Sequence, residues 1–170
     1  MAPVVTVRAP ARAELGHLPE IERAAARLFA PYGLDGLYTQ HVCTLAQLEA
    51  ARAADRLRVV ALDDGPPLGF ALLVSLGPWA QLAELDVLPE FGGQGLGTRL
   101  LLEAIEWARA RRPGLVLSTM RGPPWNAPFY AKHGFREVTK LDPSMRKIRA
   151  AEARLGFPMA ERVVMQRLFP

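Results

Sequence analysis

The stretch that most constrains this chain runs Glu84-Leu85-Asp86-Val87-Leu88-Pro89-Glu90-Phe91-Gly92-Gly93-Gln94-Gly95-Leu96-Gly97. A half-buried strand ends at Pro89, which cannot donate to a ladder. Four glycines at 92, 93, 95 and 97 form a tight loop. A helix is expected from about Thr98, with Leu101, Ile105 and Ala108 at helical spacing. Strand, glycine loop and helix together make an anion-binding device. Free backbone N–H groups and the positive end of the helix dipole face whatever lies over the loop. Glycine allows close backbone approach and positive φ. A phosphate-bearing ligand is the expected occupant. A nucleotide-triphosphate loop is excluded, because its Lys-[Ser/Thr] pair is missing. A dinucleotide fingerprint is excluded by the Gly-x-Gly-x-Gly spacing at 93, 95 and 97 and by the mid-chain position.

Two blocks carry a more specific signal. Val87-Leu88-Pro89-Glu90-Phe91 followed by Gln94-Gly95-Leu96-Gly97-Thr98-Arg99-Leu100-Leu101 resembles the acetyl-CoA loop of the GNAT superfamily of N-acyltransferases. Asn126-Ala127-Pro128-Phe129-Tyr130-Ala131-Lys132-His133-Gly134-Phe135 resembles that superfamily's Asn…Phe-Tyr-x-x-x-Gly-Phe segment. The resemblance covers about residues 57–140. One position departs from it: Gly92 stands where the family usually carries Gln or Arg, so only the backbone N–H is kept there.

The resemblance implies an α/β (α+β) fold, a mixed and mostly antiparallel sheet flanked by helices. It implies transfer of an acetyl group from acetyl-CoA to a primary amine by direct attack in a ternary complex. The cofactor-binding residues it assigns are Gly92, Gly93, Gln94, Gly95, Leu96, Gly97 and Thr98 for the pyrophosphate. Leu85 and Val87 would contribute backbone N–H groups to the thioester oxygen. Asn126 and Phe129 belong to the second block, with Asn126 on the CoA arm, although it lies nearer Tyr130 than in many members. Tyr130 is implied as general acid to the departing thiolate; an unperturbed phenol stays protonated at neutral pH.

The base is read from the strand itself. Glu84 and Asp86 at i and i+2 share one face of a regular strand. A carboxylate among apolar groups has its pKa raised toward useful values. Glu84 is the first candidate and Asp86 the second; the alternative is that both are solvent-facing acids on a polar strand face. Ser118 and Thr119, at a strand end, are further polar candidates. His133 is explained by the dipole of its helix C-terminus, and His17 and His41 read as surface residues.

The remaining chain reads as alternating strands and helices. Strands are expected over 4–8, 57–62, 68–76, 79–88, 115–120, 135–139 and 163–169. The strand over 68–76 is nearly continuous in apolar residues, as a strand buried on both faces would be. Helices are expected over 18–29, with Leu18, Ile21, Ala25 and Leu28 inward and Glu22 outward, and over 44–54, with Leu45, Leu48 and Ala51 inward. Thr44 and Gln47 form a capping box there. Further helices are expected over 98–111, 126–133 and 142–155, with Pro143 at the first turn. Residues 33–41 read as a loop bearing Asp35, Tyr38 and His41.

At 170 residues, with half of them apolar and 22% charged, the chain suits one globular domain over 1–170. No apolar run approaches the ~20 residues of a membrane span, and the first residues lack a signal pattern, so a cytoplasmic enzyme without membrane association is expected. Cys43 is the single cysteine and matches no metal spacing; it reads as a small buried residue, and no metal is required. The net charge of +4 comes from scattered arginines, which argues against nucleic acid as a partner. The acceptor expected is a small-molecule amine. A protein or peptide N-terminus, or a CoA-binding sensor without turnover, stays open as an alternative. The last strand and the basic C-terminal helix either pack internally or pair with a second chain, so a homodimer also stays open.

Overall fold

Seven strands form one sheet in the order β1-β2-β3-β4-β5-β7-β6. They are β1 (Val5–Arg8), β2 (Leu57–Leu62), β3 (Gly69–Leu76), β4 (Trp79–Val87), β5 (Gly114–Met120), β6 (Arg136–Glu137) and β7 (Arg162–Leu168). Six α-helices accompany them: α1 (Leu18–Ala26), α2 (Asp35–Gln40), α3 (Leu45–Ala53), α4 (Leu96–Arg109), α5 (Ala127–Lys132) and α6 (Pro143–Leu155). The computed structural model describes residues 1–170. The α/β class with a mostly antiparallel sheet is the one the sequence implied. No helix is long and apolar enough to cross a membrane. By packing, the chain divides into two compact units, Met1–Val74 with Glu84–Glu106, and Ser75–Ala83 with Trp107–Pro170.

In the first unit β1 pairs antiparallel with β2, and β2 with β3. Val59, Val60, Ala61, Phe70, Ala71 and Leu73 are fully shielded, as expected of strands covered on both faces. The continuous burial of β3 stops at Leu73, and Ser75 is exposed. α1 buries Leu18, Ile21 and Ala25, but two side chains depart from the expected stripe. Leu28 is 39% exposed, because the chain leaves α-helical geometry at Arg27 for a 3-10 segment through Tyr32. Three residues per turn instead of 3.6 rotate Leu28 off the buried face. Glu22 was expected outside and is 7% exposed; it lies four residues after Leu18, on the same face. Residues 33–41 are not all loop: α2 occupies six of them, and Tyr38 stacks on Phe29 with ring centroids 4.1 Å apart.

The capping box at α3 forms as expected. Thr44 Oγ1 accepts from the Gln47 N–H (3.2 Å), and Gln47 Oε1 accepts from the Thr44 N–H (2.8 Å). Leu48 and Ala51 point inward, whereas Leu45, first in the helix, is exposed.

In the second unit β4 begins parallel to β5, with Ala80 opposite Leu115 and Gln81 opposite Val116. β5 and β7 pair antiparallel from Gly114–Leu168 to Met120–Arg162. The strand expected over 135–139 is regular only at Arg136–Glu137, although the Val138 N–H still donates to the Val164 carbonyl at 2.9 Å. α6 starts on Asp142, whose Oδ1 accepts from the Met145 N–H (2.8 Å) and whose Oδ2 accepts from Trp79 Nε1 (2.6 Å). Val116, Met145, Ile148 and Val164 form a buried cluster beside that cap.

One backbone approach in the first unit is unusually tight. A methyl group at Gly69 would lie 2.6 Å from the Asp86 carbonyl oxygen and 2.9 Å from Val87 Cγ2. Overpacking at a rigid backbone contact costs about 1–3 kcal/mol. Gly69→Ala should therefore lower the unfolding free energy measured by denaturant titration by an amount in that range. Gly16→Ala, where a methyl meets nothing within 4 Å, is the control and should leave that free energy within about 0.5 kcal/mol of the starting protein.

Candidate functional site

β4 ends at Val87, one residue earlier than its apolar pattern suggests. The Leu88 N–H is still bound, donating to the Leu68 carbonyl at 2.8 Å. Pro89–Phe91 then make a single 3-10 turn, closed by the Phe91 N–H on the Leu88 carbonyl and the Gly92 N–H on the Pro89 carbonyl. Gly92 is extended, while Gly93 has φ +72° and Gly95 φ +83°. A side chain at either of these two would meet no atom within 4 Å. Their need for glycine is therefore conformational: L-residues other than glycine avoid that region.

The helix begins at Leu96, two residues before the expected start. The first intrahelical bond is donated by Arg99 to the Gly95 carbonyl at 3.1 Å. The N–H groups of Leu96, Gly97 and Thr98 precede that ladder and belong to the positive end of a 14-residue helix. The Leu96 side chain is buried and pins the helix start, so this residue offers a ligand only its backbone. Gly92, Gly93, Gln94 and Gly95 are exposed. Open N–H groups at a helix N-terminus are an arrangement that attracts anions.

Just before the loop, β4 carries Glu84 and Asp86 toward α1 and the segment leading into α3. The Glu22 carboxylate, the Cys43 sulfur and the Glu84 carboxylate each offer an atom within 4.8 Å of the others. Glu22 Oε2 accepts the Cys43 backbone N–H at 2.8 Å, which fixes the acid in place. Asp86 Oδ2 is buried without a hydrogen-bond partner. Burial, and then the charge of Glu22, push the Asp86 carboxyl up to about 8. Glu22 is itself raised by burial, against the hydrogen bonds from Cys43. The Cys43 thiol is pushed far up by burial and by the charges of Glu84, Glu22 and Asp86. A thiol in that state is no nucleophile. It was expected to be a small buried residue, and it is buried, but among acids.

Leu85 and Val87 are half-buried on the same strand, and Val87 Cγ2 lies 3.9 Å from where a methyl on Gly97 would sit. Strand end and helix start are thus packed on each other.

The second motif lies in the other unit. Asn126 caps α5 through its carbonyl, which accepts the Tyr130 N–H at 3.1 Å, while its side chain makes no capping bond. Tyr130 is buried, with its ring edge-on to Phe129 (5.2 Å) and to Phe135 (5.8 Å). Gly134 at φ +83° stops the helix as expected. The Phe135 N–H returns to the Tyr130 carbonyl at 3.2 Å. Phe129 also meets the His133 ring at 4.9 Å. Ser118 and Thr119 have structural settings: Ser118 Oγ donates to Glu152 Oε2 at 2.9 Å, Glu152 pairs with Arg162, and Thr119 is buried. His17 and His41 are exposed.

Glu22 and Cys43 were not picked out by sequence reasoning. For Glu22 a signal existed: Leu18, Glu22 and Ala25 follow helical spacing, and only the charge of the side chain argued against the buried face.

Comparison with known proteins gives one family. A model described as acetyltransferase (GNAT) family matches residues 20–135. Among solved structures, the chain is similar to the PaiA N-acetyltransferase of Thermoplasma acidophilum in complex with coenzyme A: 18% identity, 98% of this chain and 99% of that one, TM-score 0.71. It is similar to N-acetylglutamate synthase of Neisseria gonorrhoeae complexed with coenzyme A and N-acetyl-glutamate: 22% identity, 100% of this chain but 36% of that one, TM-score 0.69. It is similar to the ribosomal-protein-S18-alanine N-acetyltransferase of Escherichia coli: 17% identity, 97% and 94% coverage, TM-score 0.67.

The raised carboxyls have a measurable consequence. A carboxyl raised in the folded protein binds its proton more tightly there than in the unfolded chain. Its stabilising contribution is complete below the ordinary carboxylate range and is lost as pH climbs through the folded value. For Asp86 that window runs from about 4 up to about 8, and Glu22 acts in the same direction. Unfolding free energy should fall across this window by up to about 1.4 kcal/mol per pH unit for each proton. Asp86→Asn should flatten the decline and be more stable than the parent at pH 8. Equilibrium denaturation at several pH values decides it; equal slopes in the two proteins would contradict the assignment.

Proposed function

Because the chain belongs to the acetyltransferase (GNAT) family, we propose that it moves an acetyl group from acetyl-CoA to a primary amine of a small molecule by direct attack in a ternary complex. The observation that carries the reading is the matched family segment containing a glycine loop with Gly93 and Gly95 at positive φ, opening on a helix N-terminus. All of residues 1–170 would serve as one catalytic domain.

Each step has a residue on this reading. Backbone N–H groups from Gly92 through Thr98 hold the pyrophosphate, with Gln94 at the rim. Backbone N–H groups at Leu85 and Val87 stabilise charge on the thioester oxygen as the amine nitrogen bonds to its carbon. Glu84 takes the proton that the ammonium must lose, directly or through water. Asp86 is the alternative base. As the carbon–sulfur bond breaks, Tyr130 donates its phenolic proton to the leaving thiolate. Asn126 and Phe129 steady the CoA arm. Holding donor and acceptor together removes the need for a covalent intermediate and makes proximity a main source of rate.

Two measurements test this. Acetyl-CoA should raise the melting temperature of the protein, and Gly95→Val should abolish that rise while the variant remains folded, since φ +83° is closed to valine. An undiminished rise in the folded variant would remove the pyrophosphate assignment. Tyr130→Phe keeps the ring contacts and deletes only the donor. Its single-turnover rate should drop on the order of 10²-fold or more, with acetyl-CoA affinity little changed. Parent-like turnover would leave Tyr130 as a packing residue.

A further inference from the structure

The arginines that look scattered along the sequence are divided unevenly between the two units. The first unit holds 8 Lys and Arg against 13 Asp and Glu, and the second 13 against 4, giving net charges of −5 and +9. In the second unit the four acids are already engaged. Glu137 pairs with Arg121 at 2.9 Å, and Glu161 adds its charge to the same arginine. Asp142 accepts from the Met145 N–H and from Trp79 Nε1, and Glu152 is buried against Arg162. α6 concentrates the basic charge that is left. Met145, Ile148 and Glu152 are its buried side. The opposite side carries Arg146, Lys147, Ala150 and Arg154, all exposed, and no acid. Lys147, Ala150 and Arg154 follow i, i+3, i+7 spacing, one line of roughly 10 Å along the helix. Lys140, also exposed, lies two residues before the Asp142 cap. Arg146 donates to the Leu141 carbonyl at 2.7 Å, a neutral partner that leaves its charge uncompensated. Like charges crowded on one helix face repel, a cost that an anionic partner removes.

We infer that this face of α6 docks the phosphate backbone of a nucleic-acid duplex, without regard to base sequence. The inference goes beyond acetyl transfer and does not depend on it. A duplex presents about one negative charge per 1.7 Å of its axis, dense enough to meet several basic side chains along α6. Interfaces with nucleic acid are more polar and far more positive than those between proteins. A protein partner would be anchored by aromatic or apolar groups where Lys is depleted, and here the outward line offers only Ala150 between its charges. A membrane surface would need an outward apolar stripe, but Met145 and Ile148 are spent in the buried cluster with Val116 and Val164. A single strand is held by stacking on several aromatics, and Trp125 is the one exposed large aromatic of this unit.

Fluorescence anisotropy tests this with labelled duplexes of about 20 base pairs, one of DNA and one of RNA. With about four phosphate contacts, from Lys140, Arg146, Lys147 and Arg154, affinity should fall on the order of 10²-fold between about 50 and 200 mM salt. Duplexes of unrelated sequence should bind alike. Lys147→Gln should weaken binding on the order of tenfold and lower the salt slope by about one, with the melting temperature unchanged. Arg27→Gln, at an exposed position of the first unit, removes the same charge from the whole protein. It should leave affinity within about twofold, because exposed charges far from the contact are screened. Equal losses in the two variants would assign the binding to net charge and overturn the inference. So would absence of binding to both duplexes at low salt, or displacement of the duplex by equimolar acetyl-CoA. Tighter binding of polyglutamate, of anionic vesicles or of a single strand of equal charge would overturn it as well. Acetyl transfer without duplex binding would leave the proposed function standing and remove this surface; duplex binding without acetyl transfer would do the reverse.

Discussion

The contact on which the site depends is the close approach of β3 to β4 at Gly69. With no side chain there, the Asp86 carbonyl and the Val87 side chain come within the space a methyl group would fill. That approach sets the height at which β4 leaves the sheet. Two consequences follow within a few residues. Upstream, Glu84 and Asp86 are held against α1 and the Cys43 segment. Downstream, Val87 supports the start of α4 through Gly97, and the Leu88 N–H stays tied to the Leu68 carbonyl. The acids of β4 and the glycine turn are therefore two ends of one short piece of backbone. Sites built on such elements hold their geometry better than sites carried on free loops.

The turn was legible in the sequence because its requirements are local. Positive φ at Gly93 and Gly95 is written directly as glycine, and the helix that follows is written as apolar spacing. Helix α3 was legible for the same reason, since its Thr44–Gln47 box spans only four residues. What failed was whatever depended on distant neighbours. Glu22 was placed outside by residue type, yet its position four residues after Leu18 put it inside, where the Cys43 N–H awaited it. Leu28 was placed inside by spacing, yet a change from α to 3-10 geometry turned it out. Glu84 and Asp86 were recognised as acids on one strand. Their encounter with an acid sixty residues earlier is a tertiary fact that no local pattern records.

Burying the carboxylates of Glu22 and Asp86 near one another is unfavourable for folding unless protons remain on some of them. The raised Asp86 and Glu22 carboxyls show that response. A purely structural core would replace such groups with apolar ones of similar size, which is commonly neutral or stabilising. By contrast, Ser118, Glu152 and Arg162 in the second unit form a buried polar group in which the acid is paired and hydrogen-bonded. The two places differ in one feature: Glu152 is paired by Arg162, whereas Asp86 Oδ2 is buried without a hydrogen-bond partner.

The unpartnered Asp86 oxygen makes that carboxyl sensitive to any charge brought beside it. Burial, helped by the charge of Glu22, keeps a proton on Asp86 up to about pH 8. A cation entering the cluster lowers the repulsion, and the proton becomes easier to release, because an opposite charge within a few ångströms favours the ionised acid. On the reading in which Asp86 is the base, it is most ionised when a cation is beside it and protonated when none is. A carboxylate of ordinary pKa would be ionised at neutral pH regardless of the acceptor. The placement of Glu22 beside Asp86 thus costs stability above neutral pH and makes the protonation state of Asp86 depend on the charges around it.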